Sequence, residues 1–334
     1  MVSQRKLSSH NMKGMQVCVT GATGFIGQCL VDALFHQGYS VRVLTRHSGC
    51  PFPDDVQVVV GDLTLPECPL DQFLIGCEVL FHCAGEIGDV TAMHLLHVDG
   101  TQRLLDAVLK ETAQTGQKIH WVQLSSIGVY GPPLDSASVD RIVTEDSPLR
   151  PAGEYETTKA KADELVAQAS KAGALTYSIL RPSNVFGAGM TNQSLRALIQ
   201  MVKRRLFFYV GKPGAVATYV HVDDTVSALM KCAVEPRAIG RVYNLSNDCL
   251  LEDLIKSIAL IAGVQSPWIR IPEPVIRISV SLLDNWIDIP LTQSRIDALV
   301  SRTQYPADRI VSELGFSFSA PVPYSIKNFV RKGY

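Results

Sequence analysis

The chain has 334 residues, 46% of them hydrophobic and 19% charged, with a formal net charge of −1. That length suits one large domain or one and a half. The balanced charge gives no broad electrostatic case for nucleic acid or an anionic membrane surface as a partner.

In chain order, residues 1–14 are polar, lack an apolar core and read as a loose tail, not a signal peptide. The apolar run Gln16-Val17-Cys18-Val19 then leads into Thr20-Gly21-Ala22-Thr23-Gly24-Phe25-Ile26-Gly27, and Cys29 to Leu34 continues with helical periodicity. Strand, tight glycine turn and helix in that order form a dinucleotide-binding pattern. The glycines let the turn close, let backbone approach a pyrophosphate and let helix pack on strand. The helix N-terminus then faces the anion with free N–H groups. Gly21, Thr23, Gly24, Phe25, Ile26 and Gly27 are therefore candidate cofactor-binding residues.

Ser40 to Leu44 reads as the second strand, with Thr45-Arg46 at its tip. An NAD site usually places a carboxylate there for the ribose 2′-OH. Arg46 can instead pair with a 2′-phosphate, so the pattern favours NADP over NAD. Further strands are expected at Val56–Val60, Val79–His82, Ile119–Leu124 and Thr176–Leu180, with helices at Val98–Glu111 and Lys159–Ala172. This alternation predicts an α/β fold with a doubly wound parallel sheet, a Rossmann domain over 15–186. After Phe186 the alternation becomes irregular. Residues 187–334 are expected to form a smaller C-terminal substrate lobe, with segments returning to the main domain. Lys203-Arg204-Arg205 reads as a solvated helix face, and Ile271 to Leu291 as a helix packed on the protein or a partner subunit. No apolar run reaches the length of a membrane span. The eight cysteines form no Cys-x-x-Cys pair, which suggests reduced thiols in a cytoplasmic protein, not disulfides or zinc ligands.

Tyr155 and Lys159 form Tyr-x-x-x-Lys, which places both on one helix face. A free Tyr is a poor base at neutral pH, and a nearby ammonium is expected to lower its pKa. The same Lys can hold ribose hydroxyls. Ser126, at the end of the preceding strand, can hold a substrate oxygen. His94 and His97 share a helix face, but no third metal ligand is evident and no metal site is assigned.

With these residues in place, the chain resembles the extended short-chain dehydrogenases/reductases, in the NAD-dependent epimerase/dehydratase family that acts on sugar nucleotides. Thr20–Gly27 resembles its TGxxGxxG turn, and Gly61-Asp62-Leu63 its GDL, where the Asp contacts adenine. His82-Cys83-Ala84-Gly85 resembles HxAG, Ser125 to Gly131 resembles SSxxVYG, and Leu180 to Gly187 resembles LRxxNVYG. Tyr219 to Asp224 is YVHVDD. The resemblance implies catalytic Ser126, Tyr155 and Lys159. It adds Asp62, Leu63, Ala84, Gly85, Pro182 and Ser183 to the cofactor residues, and Glu86, Asn184 and Arg302 beside Ser126 as substrate contacts. It also suggests a homodimer through paired helices.

Departures from the family pattern bear on the substrate. The 4,6-dehydratases of this family place Asp-Glu directly after the catalytic hydroxyl residue, where this chain has Ile127-Gly128. Neither transfers a proton, so 4,6-dehydration is not expected. Ala217 replaces an Arg that pairs with the nucleotide diphosphate in many relatives, with Lys212, Arg302 or Arg309 as possible substitutes; His97 replaces a frequent Asn. The expected function is hydride transfer at C4 of a nucleotide sugar, by 4-keto reduction or 4-epimerisation. Thr45-Arg46 leans toward reduction. One alternative is a reductase of a steroid-, flavonoid- or lipid-like ketone. A second is a catalytically silent dinucleotide sensor, against which the intact Ser126, Tyr155 and Lys159 argue.

Overall fold

Short runs rich in Val, Ile and Leu form seven strands of one parallel sheet. They are β1 (Gln16–Thr20), β2 (Ser40–Thr45), β3 (Gln57–Val60), β4 (Val79–His82), β5 (His120–Leu124), β6 (Thr176–Pro182) and β7 (Arg241–Leu245), in spatial order β7-β6-β5-β4-β1-β2-β3. The computed structural model describes residues 14–49, 51–134, 136–173, 175–190, 193–283 and 292–331. Apart from Gly14, the tail expected over 1–14 lies outside the described residues, as does the end of the apolar segment carrying Trp286.

Alternate residues of each strand face opposite sides, and both sides are covered. On one side, helices α1 (Phe25–His36) and α4 (Val222–Val234) press Leu30, Leu34, Val226 and Leu229 onto Val17, Val19, Phe81 and Val122. On the other, α2 (Thr101–Thr115) and α3 (Glu154–Lys171) press Leu104, Val108 and Val166 onto Cys18, Leu80 and Trp121. Strand order reverses between β1 and β4, the place where open α/β sheets bind ligands. Because the strands are parallel, the turns after Thr20, Thr45, Val60, His82, Leu124 and Pro182 all open on that same edge.

A second apolar cluster joins Leu195, Ile199, Leu254, Ile258, Ile326 and Phe329 from helices at Gln193–Lys203, Leu251–Ala262 and Val322–Arg331. The helix Glu273–Leu283 buries Ile276 and Val280 against Val210, Ile296 and Val300. Among the described residues no helix is long and apolar enough to cross a membrane, and seven cysteines are free thiols.

Two helices differ from expectation. The Val98–Glu111 segment belongs to a longer helical run from Val90 to Thr115, with a π turn at Leu95–Gly100. The wider turn breaks the 3.6-residue period, so the apolar pattern is legible only beyond it. Helix α3 begins at Glu154, not Lys159. Its first turn is polar and gives no periodicity signal, but Glu154 and Glu156 suit the positive end of the helix dipole.

Candidate active site

The glycine turn after β1 has the geometry of an anion cradle. Gly21 has φ +68°, and a Cβ on it would lie 2.5 Å from the Ala84 nitrogen. A Cβ on Gly27 would lie 2.1 Å from the Gly21 carbonyl oxygen, so only glycine lets α1 start this close to β1. Gly24 is the N-cap of α1 and has no side chain to cap the helix, and no acidic residue sits in its first turn. The N–H groups there are open to an anion. Thr23 is exposed and Phe25 and Ile26 are half-buried in this turn. At the β2 tip Thr45 is buried, and Arg46 is exposed with no partner among the described residues. Asp62 Oδ1 accepts from the Thr64 nitrogen at 2.9 Å and hydroxyl at 2.8 Å, and Leu63 and Ala84 are buried.

Ser126, Tyr155 and Lys159 come together between β5 and α3. The Ser126 side chain lies close enough to the Tyr155 phenol to lower its pKa, and the Ser126 hydroxyl oxygen accepts from the Gly128 nitrogen at 3.1 Å. The buried Lys159 ammonium donates to the Leu124 carbonyl at 3.1 Å and the Ala84 carbonyl at 3.5 Å, which leaves donor capacity for a ribose hydroxyl. One expectation is corrected here. Burial pushes the Tyr155 phenol up to about 12, and the neighbouring Ser126 side chain, not the Lys159 ammonium, opposes the rise. Lys159 is turned to the two carbonyls, and desolvation lowers its own pKa. A raised phenol pKa keeps Tyr155 protonated, the form that donates a proton.

Behind this group lies a buried polar network. The Ser125 hydroxyl donates to Asp163 Oδ2 at 2.8 Å, and the Arg181 guanidinium donates to the Tyr130 hydroxyl at 2.9 Å. Tyr130 in turn donates to Asn244 Oδ1 at 2.8 Å, tying β6 to β7. The buried Ser183 hydroxyl, beside buried Pro182, has no hydrogen-bond partner among the described residues. An orphaned buried donor at the carboxyl edge, with the uncapped α1 terminus and the Gly21 cradle, fits a bound dinucleotide.

The expected substrate contacts are dispersed. Glu86 Oε1 accepts from the nitrogens of Ile87 at 2.9 Å, Gly88 at 2.7 Å and Asp89 at 3.3 Å, and these bonds hold its pKa down. Asn184 is exposed and donates to the Thr218 carbonyl at 3.0 Å. Arg302 pairs with Asp140 at 3.1 Å and also binds the Pro213 carbonyl. It lines a cavity of about 660 Å³ with Lys212, Arg270, Glu273 and Ser138. Arg270 pairs with Glu252 at 2.8 Å, whereas Lys212 has no ion-pair partner among the described residues. Arg309 pairs with Glu145 and Asp146. Ala217 is buried in the second apolar cluster.

Three further residues, His97, Glu156 and Asp163, pack around the catalytic group. His97 is buried and both its ring nitrogens are engaged, whereas His94 is exposed beside Asp99. Among the described residues no cluster of His, Cys, Asp and Glu could hold a metal. The Glu156 side chain packs over Gly128, where a Cβ would lie 2.9 Å from its Cγ. Asp163 continues the four-residue spacing of Tyr155 and Lys159, which was a legible signal.

Residues 17–246 match the profile of the NAD dependent epimerase/dehydratase family. A ceramide reductase of Caulobacter vibrioides is 27% identical over 285 residues, covering 83% of this chain and 80% of that protein. A 4-hydroxy-2-methyl-3-oxo-4-farnesyl-3,4-dihydroquinoline-1-oxide ketoreductase of Stigmatella aurantiaca is 30% identical over 244 residues, 71% of this chain and 70% of that protein. A dTDP-glucose 4,6-dehydratase of Streptomyces griseus is 29% identical over 254 residues, 70% of this chain and 74% of that protein. In shape the chain matches a UDP-glucose 4-epimerase of Thermotoga maritima solved with UDP-glucose, with TM-score 0.72 at 20% identity over 95% of this chain and 98% of that one. It also matches MoeE5 in complex with UDP-glucuronic acid and NAD, with TM-score 0.69 at 25% identity over 96% and 100% of the two chains.

Proposed function

The chain belongs to the NAD dependent epimerase/dehydratase family, and from that premise we propose that it reduces the C4 ketone of a nucleotide-linked sugar, with NADPH favoured over NADH. The observation that carries the substrate side is the cavity lined by Lys212, Arg270 and Arg302, which offers cations to a diphosphate. The segment leaving Ser126 leads to it. Arg141 donates to the Gly131 carbonyl at 2.8 Å, Arg141–Ile142 pairs with Thr303–Gln304, and Ser138 lines the cavity wall.

A bound reduced nicotinamide would supply the hydride. Gly21 to Gly27 would receive the pyrophosphate at the open α1 terminus, Arg46 the 2′-phosphate, Asp62 and Leu63 the adenine, and Lys159 the nicotinamide ribose. Ala84, Gly85, Pro182 and Ser183 would hold the nicotinamide end. Ser126 holds the ketone oxygen by a hydrogen bond. Tyr155 donates its phenolic proton to that oxygen as negative charge develops there, and the Ser126 side chain eases formation of the phenolate left behind.

A second reading, reduction of a lipid- or isoprenoid-linked ketone, is favoured by the apolar burial of Ala217. The names of the ceramide reductase and farnesyl-dihydroquinoline ketoreductase point the same way. Incubation with NADPH and either a UDP- or dTDP-4-keto-6-deoxyhexose or a 3-ketoceramide separates the two. Cofactor oxidation with a two-hydrogen mass gain on the nucleotide sugar supports the first reading. Turnover confined to the lipid ketone overturns it.

A further inference from the structure

We propose that His97 is a positioning residue for the reduction, a neutral imidazole clamp that holds the backbone after β4 at a fixed separation from the first turns of α3. Its Nε2 lies 2.9 Å from the Glu86 backbone nitrogen. An amide N–H only donates, so Nε2 is the bare nitrogen and, in the neutral ring, Nδ1 carries the proton. Nδ1–H then donates to the Thr158 hydroxyl oxygen at 2.8 Å. The Thr158 hydroxyl passes its own proton toward the carbonyls of Glu154 at 2.8 Å and Tyr155 at 3.1 Å. Each atom in this chain has one role that fits, so the tautomer is dictated by its neighbours.

The clamp stands against Tyr155 and lies near Lys159. The imidazole stands edge-on to the Tyr155 ring, with centroids 5.7 Å apart and an interplanar angle of 78°. A Cβ placed on Gly85 would lie 3.3 Å from Lys159 Nζ and 3.4 Å from His97 Nε2, so both groups pack beside Gly85. Burial and the nearby Lys159 ammonium hold the His97 pKa down to about 3, so the ring stays neutral where Lys159 is charged. His97 is not itself an acid or base of the reaction, since its two nitrogens are spent on Glu86 and Thr158. It acts through Tyr155, by fixing where the phenol stands relative to Ser126 and to the Ala84–Gly85 backbone.

The inference rests on the reductase reading for its kinetic arm and has a second arm that needs no substrate. Three variants separate the contributions. His97→Phe keeps the ring edge on Tyr155 and removes both hydrogen bonds. His97→Asn can restore an acceptor for Glu86 N–H and a donor for Thr158, and His97→Ala removes everything. The Phe and Ala variants are expected to lose about 100-fold in kcat, the scale of a misplacement near 1 Å. KM and the NADPH dissociation constant should stay within about threefold, since the clamp acts through placement of the phenol and not through binding. The Asn variant should recover most of the rate, and its pH profile should overlay that of the parent.

Without substrate, nitrogen NMR should show Nδ1 protonated and Nε2 bare from pH 5 to 9, and hydrogen exchange should show a protected Glu86 amide. That protection should be lost in His97→Phe and kept in His97→Asn. A folded His97→Phe enzyme at parental kcat, or an Asn variant no faster than Phe, overturns the proposal. If the parent reduces no ketone at all, the functional reading falls. In that case a doubly protonated ring at pH 6 or an unprotected Glu86 amide overturns the clamp, and the expected tautomer and protection sustain it.

Discussion

Asp163 meets Arg181 in the protein interior, with Oδ2 receiving Nη2 at 3.0 Å and Nε at 3.1 Å. The pair fastens α3, which carries Tyr155 and Lys159, to β6. It also places a negative charge one helical turn beyond Lys159, where it opposes the desolvation that would neutralise the ammonium. Removing one partner leaves an uncompensated buried charge. Asp163→Ala is expected to cost about 3–5 kcal/mol in urea unfolding, whereas the double change Asp163→Leu with Arg181→Met should recover most of that loss. Equal stability of Asp163→Ala and the parent contradicts this.

The phenol of Tyr155 is the proposed proton donor, and its ring packing survives removal of the hydroxyl. Tyr155→Phe should lower kcat by about 10²–10⁴-fold with NADPH affinity nearly unchanged. Lys159→Ala should damage both quantities. Stopped-flow hydride transfer beside cofactor titration checks the pair, and a Tyr155→Phe enzyme near the parental rate rules the mechanism out.

Arg46 stands exposed at the β2 tip, where no carboxylate repels a 2′-phosphate. Calorimetry should show tighter binding of NADP(H) than NAD(H). Arg46→Ala should weaken NADP(H) about tenfold, the scale of one charge-assisted contact, and leave NAD(H) alone. Equal affinities in the parent contradict the preference.

No loss of water is expected from any nucleotide hexose, because Ile127 and Gly128 carry no proton-transfer group. The carboxylate packed over Gly128 belongs to Glu156 and comes from α3, not from the turn after Ser126. Mass spectrometry after incubation with dTDP-glucose or UDP-N-acetylglucosamine decides the matter. A 4-keto-6-deoxy product at enzymatic rates overturns the expectation, and its loss in Glu156→Gln would name the group responsible.

Acid sensitivity follows from buried neutral imidazoles. Burial holds His82 and His97 down to about 3 and His120 to about 4. The unfolded chain takes up protons near pH 6.5, so the full stability is present above that pH and is lost as pH falls toward the folded values. Asp248, pushed up to about 6 by burial, works in the opposite sense and gains as pH falls. His120 lies away from the catalytic group and isolates one contribution. Between pH 7 and 5 the parent should lose roughly 2 kcal/mol more in urea unfolding than His120→Asn. Parallel losses contradict a neutral His120.

Local patterns carried much of this molecule. The glycine turn at 21–27 is legible because a φ of +68° at Gly21 and the close start of α1 are properties of neighbours in sequence. Tyr155, Lys159 and Asp163 share a face because helical geometry repeats every 3.6 residues, and the alternation of strands and helices implied the parallel sheet. The direction of the Tyr155 shift was not legible, since it depends on how completely α3, β5 and the Ser126 turn exclude water and on where Lys159 Nζ points. The clamp at His97 joins residues 11 and 61 positions away, and Glu156 over Gly128 joins segments 28 apart. Those approaches are set by docking of α3 against β4 and β5. Sequence by itself determined the local conformations and the identity of the reactive groups; tertiary packing decided their distances, protonation and partners, because desolvation and hydrogen bonding act between segments that only the folded chain brings together.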